Sequence, residues 1–406
     1  MTPKLRFPEF RDRGEWQEKT GDSLFDQVND RNSDPGLPVL AITQEHGAIP
    51  RNMIDYHVTV TEKSIEKYKV VQVGDFIISL RSFQGGIEYS QYHGICSPAY
   101  VILSRRTKGS DAYFKHYLKT DRFIRVLTRN LEGLRDGKMI SYKQFLGLHL
   151  PVPTPPEQQK IAECLSSLDG LIAAEGRKLA ALRDHKRGLM QQLLPQPGQT
   201  QPRLRFPEFR DKGEWENVSL GSICQIQRGK FSHRPRNDPK FFGGPYAFIQ
   251  TGDVVRANGG AVAASQFLNE LGLSVSKLFK PTIVLITIAA NIGDTAILES
   301  EACFTDSVVG LIPKSDRVTP RFLESIMRLK KEHLNQIATT GAQKNINNEI
   351  LGALTVLVPS IDEQSRIEYC LSSLDTLITA QAAKIESLKT YKRGLMQQLF
   401  PAPEEV

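Results

Sequence analysis

The sequence predicts an α+β protein, with mixed α/β globular units arranged as a pseudo-twofold tandem repeat around a long antiparallel intramolecular coiled coil. Three observations carry that reading. Arg6-Phe-Pro-Glu-Phe-Arg-Asp12 returns as Arg205 to Asp211, an offset of 199 residues. Cys164-Leu-Ser-Ser-Leu-Asp169 followed by Lys186-Arg-Gly-Leu-Met-Gln-Gln-Leu193 returns as Cys370 to Asp375 and Lys392 to Leu399, an offset of 206. Between these ends, residues 20–135 and 220–340 share almost no identity. One frame is written twice, and it holds two different readers.

The repeat divides the chain into a first variable unit over 1–153, a helix over 154–195, a linker over 196–202, a second variable unit over 203–359, a second helix over 360–401 and a tail over 402–406. The globular units read as mixed α/β. Short β-like runs (70–79, 99–103, 246–251 and 282–288) are punctuated by Gly, Asn and Pro, and helical stretches follow near 111–130 and 319–338. Each unit then passes through a basic, amide-rich loop, Gly133 to Ile140 and Gly341 to Ile346, before its long helix.

The helices show the strongest periodicity. Apolar residues alternate at steps of four and three through Ile161, Leu165, Leu168, Ile172, Glu175, Leu179, Leu182, Lys186, Leu189 and Leu193. The second copy runs Ile367, Leu371, Leu374, Ile378, Gln381, Ile385, Leu388, Lys392, Leu395 and Leu399. This is a narrow coiled-coil seam. Thr154-Pro-Pro-Glu157 puts proline at the first helical position, Ser360-Ile-Asp-Glu363 reads as a capping box, and Pro195 and Pro401 end the helices. A rod from Ile161 to Leu193 is about 50 Å long. Parallel pairing would set Lys186 against Lys392; antiparallel pairing with Glu175 opposite Lys392, Lys186 opposite Gln381 and Leu179 opposite Leu388 keeps every apolar layer.

Composition bounds the function. The 406 residues are 40% hydrophobic, enough core for two or three domains, without an uninterrupted apolar run of about 18 residues or a signal-peptide core. The cytoplasm is the expected compartment. Five cysteines, odd in number and without a Cys-x-x-Cys pair, suggest neither zinc nor a disulfide framework and read as small core residues. The net charge of +7 lies on the variable units: 22 basic against 18 acidic residues over 1–153, and 19 against 15 over 196–359. Such a balance suits phosphate contact, and is also ordinary for a soluble domain. No phosphate-binding loop, dinucleotide turn, zinc helix, nucleophile elbow, amino-methyltransferase motif or nuclease core is present, so the sequence predicts no catalysis.

Leu-Arg-Phe-Pro-Glu-Phe before each variable unit, Pro156-Glu-Gln-Gln-Lys-Ile161 and Asp362-Glu-Gln-Ser-Arg-Ile367 at the helix starts, and the two Leu-Ser-Ser-Leu-Asp runs after them resemble the specificity subunit of type I restriction-modification systems. The resemblance spans nearly the whole chain. The second unit matches better, through Ile249-Gln-Thr-Gly-Asp253 and Gln343-Lys-Asn-Ile346; in the first, nothing matches Arg228-Gly-Lys230. The resemblance implies two target recognition domains, each reading half of a bipartite asymmetric DNA site, with the helices as spacer and dock for methyltransferase subunits. It also implies partner subunits that carry S-adenosylmethionine and ATP/Mg for methylation and for a restriction motor, no cofactor or metal in this chain, and a bacterial or archaeal source. The outward faces of the helices, including Ala173, Ala174 and Ala180, would be docking surface.

Arginine suits guanine, Asn or Gln suits adenine, and Lys suits phosphate. The candidate DNA-binding residues are therefore Arg51, Arg81, Gln84, Arg135, Lys138, Tyr142 and Lys143 in the first unit. In the second they are Arg228, Lys230, Arg234, Arg236, Gln250, Asn291, Gln343, Lys344 and Asn345. Two other readings fit a basic, doubled chain: a one-component DNA-binding regulator, and a scaffold that spaces two protein-binding domains.

Overall fold

Two buried carboxylates explain why the ends of the repeat match. At the start of the first long helix (Pro155–Leu193), Glu157 accepts from Arg6 Nε at 2.7 Å and Nη2 at 2.8 Å and from Trp16 Nε1 at 3.1 Å. The free end of the same guanidinium donates to the carbonyls of Arg13 and Gly14. At the start of the second long helix (Ile361–Leu399), Glu363 accepts from Arg205 Nε and Nη2, each at 2.8 Å, and from Trp215 Nε1 at 3.3 Å, while Arg205 Nη1 reaches Lys212 and Gly213. Both glutamates are nearly inaccessible, and the hydrogen bonds that each accepts hold its arginine further above the ordinary guanidinium range. The next residue repeats as well. Gln158 donates to Pro153 and accepts from the Ser110 amide, and Gln364 donates to Pro359 and accepts from the Thr319 amide. Arg-Phe-Pro-Glu-Phe and the Glu-Gln pair are thus two sides of one lock.

The lock corrects the expected capping box. Ser360 Oγ does accept from the Glu363 amide at 3.4 Å, but the Glu363 carboxylate goes to Arg205 and Trp215. A bidentate guanidinium offers it two charge-assisted hydrogen bonds where the cap would offer one backbone amide.

The computed structural model describes residues 1–31, 36–54, 65–129, 141–196, 198–289, 291–340 and 346–401. The chain forms two compact units. One joins Met1–Arg177 with Ala382–Val406, and the other is Lys178–Gln381. Each contains a two-stranded antiparallel frame, Gln17–Thr20 with His149–Val152 in the first and Glu216–Ser219 with Thr355–Val358 in the second. Each also contains an antiparallel four-stranded sheet. In the first the order is Phe25–Val28, Val101–Arg105, Phe76–Ile78, Glu88–Tyr89; in the second it is Cys224–Arg228, Val308–Pro313, Ile283–Thr287, Thr295–Leu298. The second unit adds a sheet ordered Gln266–Leu268, Phe242–Ile249, Ala302–Phe304, Leu278–Phe279, with one parallel pairing in it.

Helices Asp111–Tyr117 and Asp121–Arg129 in the first unit, and Pro320–Leu329 and Lys331–Thr340 in the second, fall where the pattern places them. Their apolar faces close each core. Tyr113 stands edge-on to Trp16, and Phe322 packs on Trp215.

The long helices are 39 residues each, and none of the twenty seam positions is exposed. They pair antiparallel within each unit. In the first, Lys392 meets Asp169 at 2.5 Å and Glu175 meets Lys384 at 2.5 Å; in the second, Lys186 meets Asp375 at 2.6 Å. The expected direction holds, and the expected register does not. Glu175 lies opposite Lys384 rather than Lys392, and Lys186 pairs with Asp375 rather than Gln381, a slip of about one heptad. A seven-residue slip preserves the apolar layers, and here it gives each seam lysine an aspartate.

Ala173, Ala174 and Ala180 are exposed, as are Leu171 at 43% and its repeat partner Leu377 at 54%. Among the described residues no helix is long and apolar enough to cross a membrane.

Candidate nucleic-acid interface

In the second unit, strand Cys224–Arg228 delivers Arg228 to the sheet edge, and the chain then turns tightly over the segment 304–308. Gly229 lies so close that an added Cβ would stand 2.2 Å from the Thr305 carbonyl, so only glycine fits. The amides of Gly229 and Lys230 donate to Val308 and Phe304 at 2.9 and 3.0 Å. Phe231 then anchors the loop in a pocket formed with Phe241 and Phe248.

This anchoring leaves Arg228, Lys230, Arg234 and Arg236 exposed around one acidic residue. Arg236 Nη2 binds both carboxylate oxygens of Asp306, at 2.6 and 2.7 Å, and Arg234 Nη2 binds one at 3.2 Å. Arg228 Nε donates to the Asp306 backbone carbonyl. One carboxylate cannot neutralise three guanidinium groups, so the cluster keeps a positive excess while its arginines are held in fixed directions.

Neighbouring turns bring in more of the expected residues. The Thr305 amide donates to Ile249, which sets Gln250 beside the same segment, and the Gln250 side chain pairs with Gln266. The Ile288 amide donates to Ser307, and the Ile346 amide donates to Ile288. The turn carrying Asn291 and the chain at Ile346 therefore meet the same edge. Gln343, Lys344 and Asn345 themselves lie outside the described residues. Sequence reasoning missed Asp306, an acid that orders a basic cluster from 70 or more positions away; a carboxylate at that distance carries no local signal.

The first unit is built differently. Arg81 and Gln84 are exposed on the short helical turn at Ser82–Gly85, and the Gln44 side chain donates to the Arg81 carbonyl at 3.4 Å. Arg51 is half-buried in the turn Arg51–Met53. Tyr142 and Lys143 open the helix Tyr142–Leu146, which Ser141 and Gln144 cap reciprocally. Lys143 is exposed, but the Tyr142 hydroxyl accepts from the Gln27 amide at 3.2 Å and lies 3.5 Å from the Phe25 carbonyl, so it ties the helix to a strand. Arg135 and Lys138 lie outside the described residues. The turn that corresponds to 305–307 in this unit, Ser97 to Tyr100, has no carboxylate.

The family model described as "Type I restriction modification DNA specificity domain" matches this chain twice, over residues 15–184 and 212–390. The chain belongs to the type I restriction-modification DNA specificity family. It is a type I specificity subunit carrying two copies of the specificity domain.

Its relatives include the type I restriction enzyme MjaVIII specificity subunit of Methanocaldococcus jannaschii, 25% identical over 359 residues, covering 84% of this chain and 81% of that one. Two solved structures share its fold from end to end. The S subunit of the type I system of M. genitalium aligns over the full length of both chains with a TM-score of 0.54 and 15% identity. A chain from a study of complex assembly and conformational transition in a type I system aligns over 99% of this chain and 100% of that one, with a TM-score of 0.58 and 19% identity.

Proposed function

We propose that each variable unit reads one half of a bipartite, asymmetric DNA sequence, and that the paired helices set the gap between the halves and dock methyltransferase subunits. The chain supplies the address and no chemistry. S-adenosylmethionine, and ATP with magnesium, act on the methyltransferase and restriction-motor partners, in the cytoplasm of a bacterium or archaeon.

One observation supports this above the others. The lock of Arg6, Trp16 and Glu157 is reproduced bond for bond by Arg205, Trp215 and Glu363, whereas the candidate reading edges differ from the first turn onward. A chain that read a palindrome would have no use for unlike halves, and regulators reach symmetry by dimerising one short chain. A protein-spacing scaffold gives no reason for an ordered arginine cluster at the edge of the second unit.

The test is co-purification with the methyltransferase encoded alongside, followed by selection from a randomised duplex library. One bipartite motif with a fixed gap is expected. A palindrome would favour the regulator, and retention without any motif would refute sequence reading.

A further inference from the structure

A cavity of about 700 Å³ in the first unit has no place in the DNA-reading scheme. Its walls come from the helix Asp111–Tyr117, the start of the helix Asp121–Arg129, the turn at Gln44–Gly47 and the last turns of the second long helix. Eight Lys or Arg side chains line it against four Asp or Glu. Two of the acids are already engaged, Glu88 by Lys119 and Asp169 by Lys392, each at 2.5 Å. Lys115 is half-buried with its Nζ 5.7 Å from the centre of the Tyr89 ring, and neither it nor Arg125 or Arg393 has an ion-pair partner among the described residues. One buried oxygen of Glu88 also has no hydrogen-bond partner. Burial presses the Lys115 ammonium down, so an anion entering here would relieve a poorly compensated cation.

The second unit provides an internal control. The Ser110 amide and Tyr113 ring of the first unit make the same contacts, to Gln158 and Trp16, as the Thr319 amide and Phe322 ring make to Gln364 and Trp215. Lys115 therefore corresponds to Glu324, and Lys119 to Arg328. At the matching corner of the second unit the cavity is about 270 Å³, and its charged lining is Lys186 and Arg321 against Glu324, Glu368 and Asp375. Arg328 binds the Asn258 carbonyl and Glu324, two of the residues that line it. The common frame does not require a wide basic cavity, since the second copy of the frame closes it and reverses the charge.

We propose that the cavity of the first unit binds a small phosphorylated molecule of nucleotide size, with its phosphates on Lys115, Arg125 and Arg393 and its body against Tyr89 and Met396. The volume lies in the range of small-molecule sites, and the concave shape suits a compact polyanion better than a duplex. Clustered phosphate is the recognised chemistry, and it could come from a free nucleotide or from a DNA backbone.

The full-length chain is titrated calorimetrically with inorganic triphosphate and with a nucleoside triphosphate, alone and with a saturating unrelated duplex present. One saturable site is expected, undisturbed by the duplex. Affinity falls about tenfold or more in Lys115→Glu, which installs the residue of the second unit, and in the surface variant Arg125→Ala, because each removes a charge-assisted contact. Selection of the bipartite DNA motif stays as in the parent chain. No saturable binding, equal affinity in the parent and Arg125→Ala, or displacement of triphosphate by the duplex would each overturn the proposal, the last by making the cavity part of the DNA track.

Discussion

Glu363→Gln tests whether the repeated lock holds each globular unit to its helix. The Glu363 and Arg205 side chains are 2% and 9% exposed, so water can replace little of what is lost. The substitution keeps one acceptor oxygen and the side-chain shape, but turns an amide donor toward one arm of the guanidinium. Arg205 keeps its bonds to Lys212 and Gly213 at 2.7 and 3.1 Å, which places the loss near the lower end of the range for breaking a buried pair, about 3 kcal/mol. Urea unfolding measures the total. Amide exchange over 216–219 and 355–358 localises it, because that two-stranded frame lies directly beside the lock. Glu157→Gln should produce the same change over 17–20 and 149–152 and leave the second unit's exchange as it was. Paired with Arg205→Met, Glu363→Gln should show a coupling of about 2 kcal/mol, within the span measured for residues in contact. Losses under about 1 kcal/mol in both glutamine variants, or simple additivity in the pair, would refute the lock as the join between frame and helix.

Cysteines at positions 169 and 392 should form a disulfide on oxidation. Cysteines at 175 and 392 should not, because the step of six residues from 169 to 175 displaces the thiol by about 9 Å, and non-reducing gel mobility distinguishes the two. Asp306→Ala should raise affinity for unrelated duplexes while blurring the second half-site alone in library selection, since it frees Arg234 and Arg236 and removes a negative charge. Lys344→Ala should weaken binding to all sequences alike and reduce the salt dependence by about one phosphate. Burial lifts the Asp75 carboxyl from 3.8 to about 6, so the fold resists its ionisation. Stability of the first unit should fall as pH rises from about 4 to 6, and the full cost, roughly 3 kcal/mol, persists above that range. Asp75→Asn should flatten this slope in urea melts recorded from pH 4 to 7.

What could be read from the chain was whatever its residues repeat. The helices, their antiparallel sense and the α+β units were legible because heptad spacing, prolines and β-branched runs are local signals. Their doubling also let one copy check the other. The Glu-Gln pairs were visible as motifs, yet their role was not, because Glu157 and Arg6 are 151 positions apart and only folding joins them. The basic cluster at the edge of the second unit was legible only in part. Arg228, Arg234 and Arg236 announced themselves by type, but Asp306 orders them, and a carboxylate in a candidate DNA surface looks like evidence against it.

The register error shows where periodicity stops being informative. A heptad pattern is unchanged when one strand slips by seven residues, so the apolar seam assigns direction and leaves register degenerate. Only groups beside the seam can break the tie. Asp169 and Asp375 each sit one residue past a seam leucine, and both are reached by a lysine from the opposite helix. Those two pairs occupy equivalent places in the repeat, so a single slip satisfies both at once, whereas the register with Glu175 against Lys392 would satisfy one. A half-exposed ion pair is worth little alone. Where the apolar terms are equal among the competing registers, even that small difference decides the outcome.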